Sequence, residues 1–134
     1  MRPTAADIGV TGYSTPLSWG AAATTPSVTR YLDPGWAATD DTNAVAISVG
    51  PGTLRKLRIS ALTAPGTSQT AVFTVLINGS SSGITATLSG AVLTISDLTH
   101  TATVVEGDLV TLQIVSSLTS GVANVTASLE WVPS

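Results

Sequence analysis

From Ala44 to the end of the chain, apolar and polar residues alternate with a period of two in short segments, broken by turn residues. Successive side chains of a strand point to opposite faces, so this period belongs to strands that bury one face. Val45, Ile47 and Val49 run up to Gly50-Pro51-Gly52, and Leu57, Ile59 and Ala61 run up to Ala64-Pro65-Gly66. Asn78-Gly79 is a dipeptide that tolerates the positive φ of a tight hairpin. Beyond it, Ile84, Ala86 and Leu88 lead to Ser89-Gly90, followed by Val92 to Ile95 and Thr99 to Val105. After the turn Glu106-Gly107-Asp108 come Val110, Leu112 and Ile114, and finally Val125, Ala127, Leu129 and Trp131 in strict alternation with polar neighbours. Strands about every 8–12 residues with no helical period predict an all-β sandwich or barrel. About eight strands in two sheets favour a single eight-stranded jelly-roll sandwich over a seven-stranded immunoglobulin fold.

Residues 1–43 read differently. Pro3, Pro16, Pro26 and Pro34 interrupt any sustained period, yet the segment carries Ile8, Val10, Tyr13, Leu17, Trp19, Val28, Tyr31, Leu32 and Trp36. A disordered tail is poor in such residues. The pattern predicts an extended N-terminal arm over 1–43, joined to a sandwich domain over 44–134. The large apolar residues of the arm either dock on partner subunits or wrap the same domain as extra edge strands, and the sequence leaves both open.

Composition narrows the function. With 134 residues the chain has room for one domain. Five basic residues and a net charge of −3 do not make the Lys/Arg stripe that a phosphate backbone requires, so no nucleic-acid partner is expected. No cysteine is present, which removes disulfides and thiolate chemistry. No run of roughly 20 apolar residues marks a membrane span, and the N-terminus lacks the apolar core of a signal peptide, so assembly in a cytoplasm is expected. Only 10% of residues are charged. A strand-rich surface so poor in charge is prone to association, which suggests that other subunits normally cover much of it.

Catalytic chemistry is hard to find. The sole histidine, His100, lies in Asp97-Leu98-Thr99-His100-Thr101. Triads are assembled in space, so sequence spacing does not exclude one, but an exposed histidine at a strand start is the simpler reading. Asp40-Asp41-Thr42-Asn43 offers oxygen ligands without the spacing of a calcium loop. Turn chemistry accounts for Glu106 and Asp108. The expectation is no enzyme, no metal and no cofactor.

Several short motifs occur in order: Tyr31-Leu32-Asp33-Pro34-Gly35, Gly52-Thr53-Leu54-Arg55-Lys56-Leu57, Val75-Leu76-Ile77-Asn78-Gly79, Val105-Glu106-Gly107-Asp108-Leu109-Val110 and Asn124-Val125-Thr126-Ala127-Ser128-Leu129-Glu130. In this order and spacing, Tyr31 to Trp131 resembles a family of small jelly-roll domains of tailed-phage virion proteins, akin to trimeric tumour-necrosis-factor and complement-type heads. The resemblance implies a homotrimer. The segment Ala71–Ile77 agrees with that, because it is apolar on both faces: Ala71, Phe73, Val75 and Ile77 on one, Val72 and Leu76 on the other. Val72, Thr74 and Leu76 are therefore the candidate trimer interface, unless the arm covers them.

No stalk-like repeat precedes the domain. This favours a free-standing capsid decoration (cement) protein on the phage head over a fibre tip, with the major capsid protein as partner and the virion surface as location. The alternative is a receptor- or glycan-binding head of a tail or fibre protein, reading its ligand through Asn78–Gly83 or Ser117–Val122.

Overall fold

The computed structural model describes residues 14–23, 29–34, 46–117 and 122–134, and among these there is no helix. They form ten strand segments: β1 (Thr15–Ala23), β2 (Thr29–Tyr31), β3 (Asp33–Pro34), β4 (Ile47–Val49), β5 (Gly52–Thr63), β6 (Gly66–Ile77), β7 (Ser80–Gly90), β8 (Thr94–Val104), β9 (Asp108–Ser116) and β10 (Ala123–Pro133). All described pairings are antiparallel. The strands make two sheets, one in the order β3-β1-β10-β5-β8 and the other β2-β9-β6-β7, with β4 also on β9. This is the architecture of a β-sandwich.

The alternation seen in the sequence is the alternation of burial. Leu57, Ile59 and Ala61 from β5, Phe73 and Val75 from β6, and Leu112 and Ile114 from β9 all point into the space between the sheets. Burial of such aliphatic and aromatic side chains, each contributing about 1.5–3 kcal/mol, is the main stabilising term. Asn78 and Gly79 both have positive φ, as the hairpin between β6 and β7 requires. Trp131 packs against the core and its indole N–H donates to Gly50 O at 3.2 Å.

The structure refines the sequence reading in two places. First, of the two alternatives left open for residues 1–43, the described segments 14–23 and 29–34 take the second and join the domain's own sheets. Strand β1 runs along β10 from Thr15↔Trp131 to Ala23↔Ala123, and β2 pairs with β9. Trp19 is 1% exposed and Leu32 is fully buried, so these two residues belong to the domain's own core and are not surface anchors for a partner. Leu17 packs against that core, and Tyr31 is half-buried. The reason is local: Leu17, Trp19 and Ala21 already alternate, and without β1 the hydrogen-bonding edge of β10 would be bare. The remaining proposed arm anchors, Ile8, Val10, Tyr13, Val28 and Trp36, lie outside the described residues, as does Asp40–Asn43.

Second, Val92 to Ile95 and Thr99 to Val105 do not form two strands. Both segments contribute to the single strand β8, which is irregular in its middle: the β5–β8 register shifts between Arg55 and Leu57. The β10–β5 register shifts as well, between Ser128 and Glu130. Lys56, at φ 56°, is the extra residue of β5. The bulge has a clear purpose. Leu54 and Leu57 are three positions apart and would face opposite ways on a regular strand, yet both are fully buried.

Candidate functional site

The densest polar cluster among the described residues is centred on Asp97, in the irregular part of β8. Asp97 is only 7% exposed. Its Oδ1 accepts from the Thr99 N–H at 3.1 Å, the Thr99 hydroxyl at 3.2 Å and the His100 N–H at 3.1 Å. Its Oδ2 accepts from the Thr85 N–H of β7 at 3.2 Å and lies 2.8 Å from His100 Nδ1. Burial disfavours the charged carboxylate. The backbone N–H groups of His100, Thr85 and Thr99, with the His100 side chain, outweigh this and hold its pKa well below the ordinary carboxylate range. Strands β7 and β8 are edges of opposite sheets, so Asp97 ties the two sheets together along one open side of the sandwich.

This geometry is structural in character. A nucleophilic relay needs the hydroxyl on one imidazole nitrogen and the carboxylate on the other. Here both the Asp97 carboxylate and the Thr99 hydroxyl meet His100 at Nδ1, the hydroxyl at 3.5 Å. Among the described residues no group of three or more His, Cys, Asp or Glu side chains is placed to hold a metal ion.

A second cluster ties the β6–β7 turn to the β8–β9 turn. The Asn78 amide donates to Asp108 Oδ1 at 2.9 Å and its carbonyl accepts from the Leu109 N–H at 3.0 Å. The Asp108 carboxylate also accepts from the Val105 N–H, and that bond and Asn78 lower its pKa. The loop Asn78–Gly83, proposed as a ligand-reading surface, is thus tied into the β8–β9 turn at its start. Most of Ser117–Val122 lies outside the described residues.

The outer face of the second sheet carries the proposed trimer residues. Val72 stands opposite Val115, Thr74 opposite Gln113, and Leu76 opposite Thr111. They do not behave alike. Leu76 is 7% exposed and Thr111 3%, so the chain itself already covers that end, while Val72 and Thr74 are half-exposed and Val115 is 40% exposed. The accessible part of the face is therefore Val72, Thr74, Gln113 and Val115.

Sequence reasoning passed over two features. Asp97 is one acid in a Ser/Thr-rich run, and its only signal is the Asp-x-Thr-His spacing that lets a carboxylate cap two following N–H groups. The other is the outer face of the first sheet, which carries a shallow groove lined largely by serine and threonine, with Arg58 among them. No protein-family model matches the chain, and no curated protein matches it.

Proposed function

We propose that the chain is a non-enzymatic structural protein of a phage virion, a decoration protein whose jelly-roll domain forms trimers on the head and stabilises the shell. Strand order supports the jelly-roll part of this reading. Strands β2 and β4 lie in line on β9, with the Leu32 N–H donating to Leu112 O between them. Taken as one interrupted strand, and leaving aside the two-residue β3, they bring the total to eight. Four of these, β1-β10-β5-β8, face β2/β4-β9-β6-β7, with the last strand beside the first. That order agrees with two interleaved Greek keys and supports the jelly-roll reading.

The observation that carries the self-association is the Val72–Val115 pair, Val115 40% exposed and Val72 partly so, on a sheet face whose neighbours, Thr74 and Gln113, are uncharged. A chain with only 10% charged residues leaves such a face without the charges that keep monomers apart. A trimer bound to assembled capsid protein but not to free subunits would stabilise the shell by mass action, and three attachment points would add avidity.

Sedimentation equilibrium tests the trimer. The wild-type chain is expected at three times its 13.5 kDa mass. Val72→Asp places a charge in every copy of the interface and is expected to raise the dissociation constant by roughly 100-fold or more. A wild-type monomer at micromolar concentration, or a Val72→Asp variant that remains trimeric, would remove this face from the proposal.

A further inference from the structure

The outer face of the first sheet is an ordered array of small polar side chains around one arginine. Two straight rows cross its four long strands: Ser18–Ser128–Arg58–Ser96, and Gly20–Thr126–Ser60–Thr94. Apart from Arg58, the side chains here are short, so the face around it is recessed. Its margins are longer side chains, Arg55, Lys56 and Glu130 towards one end and Leu62, 71% exposed, towards the other. The groove has a volume of about 540 Å³. At three strand spacings it is about 14 Å across.

Its charges are specific. Glu130 is engaged by Arg55, Nε to Oε2 at 2.9 Å, with the Lys56 ammonium at 3.8 Å. Arg58 sits in the middle of the first row, exposed, and makes no hydrogen bond or ion pair with any described residue. It is a fork of N–H donors with no carboxylate at ion-pair distance among the described residues, its charge reaching Glu130 only at longer range, and it is held among six hydroxyls from Ser18, Ser60, Ser96, Ser128, Thr94 and Thr126.

We infer that this groove binds an acidic polysaccharide, with Arg58 taking the sugar carboxylate and the flanking serines and threonines the ring hydroxyls. Guanidinium and carboxylate match as a two-pronged charge-assisted pair. Each Ser or Thr hydroxyl donates and accepts, as does each sugar hydroxyl, so the array suits a polyhydroxylated ligand. A protein segment would instead need apolar pockets for aromatic or aliphatic anchors. The apolar residues along the groove, Trp19, Ile59 and Ala127, are buried in the core and Ile95 is partly buried against it, so no large apolar side chain stands out into the groove. The site lies on the opposite sheet from Val72 and does not depend on the decoration reading.

With one ion pair and no exposed aromatic platform, a single site is expected to bind at a dissociation constant on the order of a millimolar. The test is an amide-shift NMR titration of the full chain with a galacturonate hexamer, beside its methyl ester, which keeps the hydroxyls and removes the charge. The expected result is saturable shifts at Arg58, Ser60, Thr126 and Ser128 with the acid only. Arg58→Ala should weaken binding at least tenfold and Arg58→Lys by less, since lysine keeps the charge but loses the fork. Arg58 is exposed, so both variants should retain the wild-type spectrum elsewhere. The inference is overturned by the absence of shifts, by equal binding of the ester, by shifts confined to Arg55 and Lys56, by undiminished binding to Arg58→Ala, or by equal binding of an oligoglutamate peptide.

Discussion

Gly52→Ala is expected to destabilise the domain by about 3 kcal/mol, a fall in Tm on the order of 10 °C. A Cβ at Gly52 would stand 2.4 Å from Val132 O and 2.6 Å from Trp131 Nε1. Neither neighbour can give way cheaply. Val132 belongs to the β10–β5 ladder, and the indole is held by its bond to Gly50 O. The strands must part or the tryptophan must leave, and either change opens the packing beneath Leu54. Gly50→Ala is the control. There the tightest contact is Glu106 Oε2 at 3.3 Å, the end of a flexible and exposed side chain, so a change of less than about 1 kcal/mol is expected. Thermal or urea unfolding of the two variants separates a steric clash with backbone from a general intolerance of alanine in this turn.

Asp97→Ala should cost a similar amount, about 2–4 kcal/mol, for a different reason. The carboxylate is the shared acceptor of N–H groups from two strands in opposite sheets, and its removal leaves the half-buried Thr85 N–H without that partner. Asp97→Asn keeps the shape but not the charge, and should fall between alanine and wild type. The pH dependence has a definite sign. The folded pKa of Asp97 lies below its unfolded value, so its contribution is complete above the ordinary carboxylate range and declines as pH falls below about 4. Asp108 and Glu130 are shifted the same way and add to that slope. Stability measured from pH 6 down to pH 2 should therefore fall less steeply in Asp97→Asn than in wild type. Equal slopes would mean that the carboxylate is not charged and bonded in the native state as described.

The regular part of this fold was legible because a half-buried strand writes its period into the sequence. The inward residues of β6, β7, β9 and β10 are those the alternation marks: Phe73, Val75, Ile84, Leu88, Leu112, Ile114, Val125 and Leu129. What was not legible depends on breaks in that period. Leu54 and Leu57 are brought to one face only by the bulge at Lys56, and the two segments read as separate strands share β8, whose irregular middle holds Asp97. Strand β1 was obscured by proline and alanine, although Leu17, Trp19 and Ala21 carry the alternation. The groove around Arg58 was invisible for a simpler reason. Its residues are spread over β1, β5, β8 and β10, and only the register places Ser18, Ser128, Arg58 and Ser96 in one row.

The integration of β1 and β2 into the sheets also changes how an attachment segment can be studied. Deletion through residue 43 would remove Trp19 and Leu32 from the core and expose the edge of β10, so it would test folding and not docking. Deletion of residues 1–13, which carry Ile8, Val10 and Tyr13, leaves all ten described strands in place. On the decoration reading, the most direct measurement is co-sedimentation of the full chain and of this shorter chain with undecorated heads of a phage whose genome carries this sequence. The decoration reading predicts saturable binding of the full chain, at a copy number divisible by three, and at least tenfold weaker binding of the shorter chain. Failure of the full chain to sediment with heads, while it adheres to host cells, would contradict that reading and leave a receptor-binding head in its place.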